Sequence, residues 1–119
     1  MLQAKNVIKT YNPKRNPFTA IDDVSLTFEE GESVAILGKS GSGKSTLMHM
    51  LAGLDTPTSG AILLNGKAFS DTSQKERNNI RNEEVGFVFQ SFFMIPDETV
   101  FENVALPLRI MKLSDKEIK

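Results

Sequence analysis

Residues 38–45, GKSGSGKS, follow an apolar segment at 33–37 and precede a stretch with helical periodicity. They match the pattern G-x-x-x-x-G-K-[ST], in which a glycine-rich loop surrounds a phosphate and the next helix directs its positive end at it. We expect Lys44 to reach the β- and γ-phosphates, Ser45 to bind Mg²⁺ and Thr46 to contact the α-phosphate. The pattern predicts a nucleotide-binding loop between a strand and a helix, and residues 38–45 are called the phosphate loop below.

The flanking sequence predicts an α/β fold. Residues 33–37 are apolar on both faces, which is typical of a strand buried in a parallel sheet. Residues 20–28 end in period-two alternation, which indicates a half-exposed antiparallel strand. The other predicted strands are 2–9, 85–89 and 61–64, the last entering a type I′ hairpin at Asn65-Gly66.

Helical segments are predicted from periodicity and polarity. The helix after the phosphate loop runs to about Ala52, residues 73–84 form a solvated helix, and residues 100–112 form a helix disturbed at Pro107. A capping box at 114–117 begins another helix, and the sequence stops two residues later. We therefore expect these residues to be part of a longer chain. The predicted buried face of the first helix contains Leu47, Met50, Leu51 and Leu54.

Composition excludes several classes of protein. The 119 residues include 14 Lys plus Arg and 15 Asp plus Glu, so a net charge of −1 argues against a nucleic-acid partner. Hydrophobic residues make up 39% of the sequence, which argues against intrinsic disorder. No cysteine is present, so disulfides, thiolate metal sites and a cysteine nucleophile are excluded. Residues 1–10 have no apolar core of the signal-peptide type, and no apolar run approaches the roughly 20 residues of a membrane span.

A catalytic carboxylate is not evident in the sequence. A magnesium nucleotide needs an acid at the end of a second buried strand. Glu29 and Glu30 follow a strand of the half-exposed type, whereas the other two candidate strands end at Asn65 and Gln90. None of these strands therefore provides the acid at its end.

The sequence around Gln90, VGFVFQSF at 85–92, resembles the Q-loop of ABC-transporter ATPases. Residues 20–60, AIDDVSLTFEEGESVAILGKSGSGKSTLMHMLAGLDTPTSG, and residues 101–108, FENVALPL, are also similar to that family. The resemblance covers essentially the whole chain and is strongest to the lipoprotein-release and macrolide-export branch. It implies a partial P-loop NTPase core with a mixed sheet and an antiparallel β-subdomain, truncated before the helical subdomain is complete.

The resemblance also implies ATP and Mg²⁺ as cofactors. Tyr11 matches the aromatic residue that stacks on adenine, and packing at the surface is its alternative role. Gln90 matches the residue that contacts Mg²⁺ or the attacking water. The expected catalytic residues are Lys44 and Gln90, and the expected metal ligands are Ser45 and Gln90. The residues that match the family's phosphate loop are Gly38, Ser40, Gly41, Ser42, Gly43, Lys44, Ser45 and Thr46.

The implied partners are a second ATP-binding subunit, in a nucleotide-sandwich dimer, and a transmembrane permease. The permease would dock near the apolar residues Phe92, Phe93, Met94 and Ile95, for which core packing is the alternative. The expected location is cytoplasmic, peripheral on the inner face of the membrane. The LSGGQ signature, the D-loop and the switch histidine of the family are absent from residues 1–119, and His49 lies instead on the predicted helix of the phosphate loop. We interpret residues 1–119 as the N-terminal portion of one ATP-binding domain, inactive in hydrolysis by itself.

Three other functions remain open at this stage. A P-loop kinase of small molecules would need an arginine-rich lid, and only Arg77 and Arg81 lie near each other. A nucleic-acid motor or repair ATPase conflicts with the net charge. A nonhydrolysing nucleotide-binding module would need no further residues. In a truncated P-loop fold the strand at 33–37 would have an unpaired apolar edge, which predicts self-association or strand exchange.

Overall fold

The computed structural model describes residues 1–91 and 93–118. Contacts divide the chain into a first unit, Met1–Arg77, and a second unit that begins at Asn78. The elements in chain order are β1 (Leu2–Tyr11), β2 (Phe18–Phe28), α1 (Lys44–Leu51), β3 (Ser59–Leu64), β4 (Lys67–Ala68), a 3-10 turn (Phe69–Asp71), α2 (Gln74–Glu83), α3 (Val100–Ile110) and α4 (Asp115–Ile118).

The first unit contains a four-stranded sheet in the order β2-β1-β3-β4, and each neighbouring pair is antiparallel. Leu2 pairs with Phe28 and Tyr11 pairs with Phe18, so β1 is longer than the predicted strand. Asn65 and Gly66 have φ values of 49° and 82°, the two positive angles that a type I′ turn requires. The α/β class, the antiparallel strand β2 and the hairpin are therefore confirmed.

Helix α1 packs on the sheet through its apolar side. Leu47, Met50 and Leu51 are buried, as the periodicity predicts. Leu54 is exposed, because α1 ends at Leu51 and the chain turns away before Leu54; this part of the prediction is wrong. The remaining apolar core residues of the first unit are Ala4, Val7, Ile21, Ala52, Ile62 and Phe69.

Two predicted strands, 33–37 and 85–89, are not formed, and we call them the edge segments. Neither is assigned to a strand or to a sheet pairing. Leu37 is 89% exposed and Val88 is 97% exposed. A parallel strand is stabilised by hydrogen bonds to its neighbours and by layers covering both faces. The apolar pattern of the edge segments is that of such strands, but the described residues supply neither the neighbours nor the cover.

Exposed apolar segments that lie outside any described sheet pairing favour association. We expect the 119-residue chain to self-associate in a concentration-dependent manner, as measured by sedimentation velocity. Leu37→Glu should shift it toward monomer, because a charge on an edge opposes strand pairing. Met48→Glu, on the exposed side of α1 where the backbone is paired internally, is the matched control. A monodisperse wild-type monomer with full amide protection at 33–37 would contradict this expectation.

Helix α2 is solvated, as predicted, and none of its residues is buried. Its start is a capping box: the Ser73 backbone N–H donates to Glu76 Oε2 at 2.9 Å, and the Glu76 N–H donates to Ser73 Oγ at 3.2 Å. The bond from the Ser73 backbone and the ion pair with Lys67 at 3.1 Å lower the pKa of Glu76 to about 2. The carboxylate cap therefore persists when the pH falls below the ordinary glutamate range.

In the second unit, α3 continues through Pro107, and Arg109 joins it to α4. The Arg109 guanidinium donates to both carboxylate oxygens of Glu102, at 2.7 and 2.9 Å, and to Asp115 at 2.9 Å. The hydrogen bond from Arg109 lowers the pKa of Glu102. Half of the predicted capping box at Ser114 is present, because the Ser114 N–H donates to Glu117 Oε2 at 2.9 Å. The Glu117 N–H donates to the Ser114 carbonyl at 2.9 Å and not to its hydroxyl.

Candidate nucleotide-binding site

The phosphate loop lies in the first unit and leads directly into α1. Gly43 is the N-cap residue, with a φ of 90° that a side chain would strain. A Cβ at Gly43 would lie 2.4 Å from the carbonyl oxygen of Ala20 and 2.9 Å from Ile21 Cδ1. Only glycine therefore allows the loop to pass so close to β2, and this contact sets the position of the first turn of α1.

The Lys44 side chain folds back over the phosphate loop. Its Nζ donates to the Gly38 carbonyl at 2.8 Å, to the Lys39 carbonyl at 2.6 Å and to Ser42 Oγ at 3.3 Å. The Ser42 N–H donates to the Lys39 carbonyl at 3.2 Å, which tightens the same turn. The ammonium group is thus held by the loop, and a phosphate oxygen would compete with these acceptors for its protons.

The amino-terminal end of α1 can accept an anion. The first α-helical bond runs from the Leu47 N–H to the Gly43 carbonyl at 2.9 Å, so the N–H groups of residues 44–46 have no partner within the helix. No side chain caps α1 within the described chain, and its first turn contains no acidic residue. Free N–H groups and the positive helix end favour a phosphate at this point.

The other loop residues predicted to contact the nucleotide are placed around this helix end. Ser45 is exposed on the first turn of α1, and Thr46 beside it is half-buried. Ser40 and Gly41 are exposed in the loop. Hydrogen bonds join Lys44 to Gly38 and Ser42, and the other predicted residues lie between them or directly after them in the chain.

Tyr11 ends β1 and belongs to a cluster that we call the tyrosine clasp, formed by Lys9, Tyr11 and Asp55. Lys9 Nζ donates to Asp55 Oδ1 at 2.7 Å and to the Thr56 carbonyl at 2.7 Å. The Tyr11 hydroxyl donates to Asp55 Oδ2 at 3.3 Å, and Lys9 Nζ lies 5.1 Å from the centre of the Tyr11 ring. Sequence reasoning found Tyr11 but missed Lys9 and Asp55, whose contact spans 46 positions.

The charge of Asp55 is stabilised within the clasp. Burial raises the pKa of Asp55, but the hydrogen bonds from Lys9 and from the Thr56 backbone outweigh it and hold the pKa below its usual value. The Lys9 and Asp55 side chains are 13% and 32% exposed. The pair is therefore partly shielded from solvent, and the lowered pKa keeps the Asp55 carboxylate ionised at neutral pH.

Gln90 lies in the second unit, exposed at a bend directly after the edge segment 85–89. The phosphate loop belongs to the first unit, so each is described separately. A serine hydroxyl and a glutamine amide oxygen are hard oxygen donors, which suit Mg²⁺ when water fills the other positions. Among residues 1–91 and 93–118, no group of three or more His, Asp or Glu side chains is placed to hold a metal.

The predicted docking patch also lies in the second unit. Phe93, Met94 and Ile95 are exposed, whereas Phe92 lies outside the described residues. The Phe93 ring meets Phe89 at 4.7 Å between centroids in an edge-on arrangement. This apolar surface is therefore open rather than packed in a core.

Asn103, which the sequence did not single out, holds the segment that follows the patch. Its Oδ1 accepts from the Ile95 N–H at 2.7 Å, and its Nδ2 donates to the Ile95 carbonyl at 3.2 Å and the Thr99 carbonyl at 3.0 Å. Thr99 caps α3 by accepting from the Glu102 N–H at 3.2 Å. The patch is therefore tied to the start of α3. No helix in the described part of the chain is both long and apolar enough to cross a bilayer.

Comparison with known proteins agrees with this geometry. Residues 21–119 match the family model described as ABC transporter. The dimeric structure of MJ0796, a bacterial ABC transporter cassette, is 42% identical, with a TM-score of 0.90 over 99% of this chain and 52% of that one. The dimeric post-hydrolysis structure of MJ0796 bound to ADP and Pi agrees equally well, with the same identity, TM-score and coverage.

The chain spans about half the length of these solved cassettes. The family match nevertheless extends over most of its residues, including the phosphate loop, α1 and Gln90. The chain therefore belongs to the ABC transporter family of ATP-binding cassettes.

Proposed function

We propose that this chain is the N-terminal portion of one ATP-binding domain that binds and hydrolyses ATP to power a membrane transporter. The observation that carries the proposal is the phosphate loop: a lysine held at its centre and an uncapped helix end beside it. The structural agreement with a cassette bound to ADP and Pi supports the same nucleotide class.

The phosphate loop would act through charge and position. Lys44 would exchange its bonds to the Gly38 and Lys39 carbonyls for bonds to the β- and γ-phosphates, and the N–H groups at the start of α1 would donate to the same anion. Phosphoryl transfer needs mainly positioning and stabilisation of developing negative charge. Tyr11 would stack on the adenine ring with its exposed face.

Ser45 and Gln90 are the proposed ligands of Mg²⁺. The ion, when bound with ATP, would neutralise charge on the phosphate oxygens. Gln90 would in addition orient the attacking water through its side-chain amide. A carboxylate that aligns this water would come from residues outside the 119, because no apolar strand pattern in the sequence ends in such an acid.

A second copy of the domain is the proposed partner across the nucleotide, and the dimeric cassettes of MJ0796 support this arrangement. A transmembrane permease is the proposed partner of the apolar surface at Phe93, Met94 and Ile95, together with Phe92. The protein would then be cytoplasmic and peripheral on the inner face of the membrane. The exposed side of the patch is what supports this docking role.

The proposal is tested by separating binding from turnover. We expect the purified 119-residue chain to bind MgATP in isothermal titration calorimetry and to release negligible phosphate in a steady-state assay. Both expectations follow from a phosphate loop that is present and a catalytic carboxylate that is not. Absence of ATP binding would overturn the assigned site. Substantial turnover that is abolished in Lys44→Ala would overturn the proposed need for residues outside the chain.

A further inference from the structure

We propose that Asp55 and Lys9 are positioning residues that hold the Tyr11 ring ready to stack on the adenine of ATP. The proposal rests on the proposed function, because it assumes that a nucleotide occupies the phosphate loop. It adds two side chains that act through Tyr11 and touch neither the phosphates nor the reacting atoms.

Both degrees of freedom of the Tyr11 side chain are restrained by the clasp. The bond from the Tyr11 hydroxyl to Asp55 Oδ2 at 3.3 Å fixes the far end of the ring. Lys9 Nζ lies 5.1 Å from the ring centre and covers one face through a cation–π contact. Tyr11 as a whole remains 38% exposed, and we expect an adenine to take the ring face opposite Lys9.

The two carboxylate oxygens of Asp55 have different roles. Oδ1 accepts from Lys9 Nζ and from the Thr56 N–H, both at 2.7 Å, which fixes the carboxylate to the backbone. Oδ2 is then directed to the Tyr11 hydroxyl. Lys9 is fixed in turn by its second bond to the Thr56 carbonyl. Asp55 is therefore anchored before it contacts the tyrosine.

The clasp also connects the tyrosine to the phosphate loop. Asp55 follows α1 closely, and its N–H donates to the His49 carbonyl at 3.2 Å. On the other side, Tyr11 pairs with Phe18 on β2, two residues before the Ala20 carbonyl that lies against Gly43. With ATP bound, the start of α1 would face the phosphates, and Asp55, four residues after the end of α1, would fix the ring for the base.

A ring that is already oriented loses less conformational freedom when the base binds. Removal of the clasp should therefore weaken the contribution of the base to affinity and leave the contribution of the phosphates unchanged. A positioning role is thereby distinguished from a general role in stability. Loss of the fold would weaken the contribution of the base and the contribution of the phosphates alike.

Tyrosine emission gives a direct readout, because Tyr11 is the only tyrosine and the chain has no tryptophan. The test titrates the 119-residue chain with MgATP and, separately, with magnesium tripolyphosphate, which has the phosphates without the base. The variants are Asp55→Ala, Asp55→Asn and Lys9→Met. The matched controls are Glu76→Gln and Lys67→Met, which break an ion pair of the same unit that does not touch Tyr11.

In the wild type, ATP should quench the Tyr11 emission, whereas tripolyphosphate should bind with little quenching. Asp55→Ala and Lys9→Met should weaken ATP binding by about three- to tenfold, part of the contribution of a stacked base, with tripolyphosphate binding unchanged. Asp55→Ala should also raise the emission of the free protein, because a carboxylate bonded to the phenol quenches it. Asp55→Asn, which keeps an acceptor oxygen, should have a smaller effect, and the controls should match the wild type.

An unchanged ATP affinity in Asp55→Ala and Lys9→Met, or an equal loss for ATP and tripolyphosphate, would overturn the positioning role. If Asp55→Ala does not fold, as judged by circular dichroism, the same criteria are applied to Asp55→Asn and Lys9→Met. If the wild type binds neither ligand, the proposed function itself fails. Wild-type ATP binding with no effect in the variants would leave the proposed function intact and reject only the clasp.

Discussion

Replacing Lys44 by alanine is expected to weaken MgATP binding about 10- to 100-fold, the largest effect on ligand affinity of any single change in the loop. A hydrogen bond to a charged group is worth about 1.5–3 kcal/mol, which corresponds to that range. In the structure the Lys44 ammonium already lies at the loop, where it donates hydrogen bonds to two carbonyls and one hydroxyl. Isothermal titration calorimetry measures the change directly.

The matched control for this change is Lys39→Ala, which removes an identical charge from the same loop. Lys39 contributes its backbone carbonyl to the bond with Lys44, and alanine retains that carbonyl. The control should therefore bind MgATP within about twofold of the wild type, which is the range expected of a screened surface charge. Equal losses in Lys39→Ala and Lys44→Ala would show that the loop attracts ATP by net charge alone and would contradict the assigned role of Lys44.

The second large effect concerns stability: Gly60→Ala should lower the free energy of unfolding by about 2–5 kcal/mol. Gly60 has a φ of 80°, which costs an alanine about 1–2 kcal/mol. A Cβ there would also lie 2.1 Å from the Asn6 carbonyl oxygen and 2.5 Å from that of Lys5, and overpacking adds about 1–3 kcal/mol. The clash falls where the register of β1 and β3 shifts, between Lys5 and Ile8.

Gly66→Ala separates the two causes, because Gly66 has a φ of 82° but no atom within 4 Å of the added Cβ. It should cost only the backbone part, about 1–2 kcal/mol. Urea denaturation monitored by circular dichroism compares the two variants with the wild type. Equal destabilisation by Gly60→Ala and Gly66→Ala would mean that β1 and β3 separate at no cost and would contradict the close approach at Gly60.

Local rules were sufficient for many parts of this fold. The Asn65-Gly66 turn needs two positive φ angles, and the residues that tolerate them are recognisable in the sequence. The bond from the Ser114 N–H to the Glu117 carboxylate joins residues only three positions apart. The buried face of α1 follows from a period of 3.6 residues, since Leu47, Met50 and Leu51 fall on one side. Each of these features is formed by residues close together in the sequence, within a single turn or helix.

Whether residues 33–37 and 85–89 form strands could not be predicted from their own sequence. Their composition predicts buried strands, but a strand needs hydrogen-bonding neighbours that lie far away in the sequence. The structure places no such neighbour beside them in the described chain, and Leu37 and Val88 are exposed as a result. The apolar pattern indicates that a segment needs neighbouring strands and covering layers, but it does not ensure that these are present.

The sequence by itself determined the phosphate loop, the order of most helices and strands, and the family that the chain resembles. These depend on residue types at fixed short spacings, and the spacing is visible in the chain. Only the tertiary structure decided that Gly43 lies against Ala20 and that Lys9 and Tyr11 both bond to Asp55. Those contacts join residues more than 20 positions apart, and their geometry depends on how β1, β2 and α1 pack.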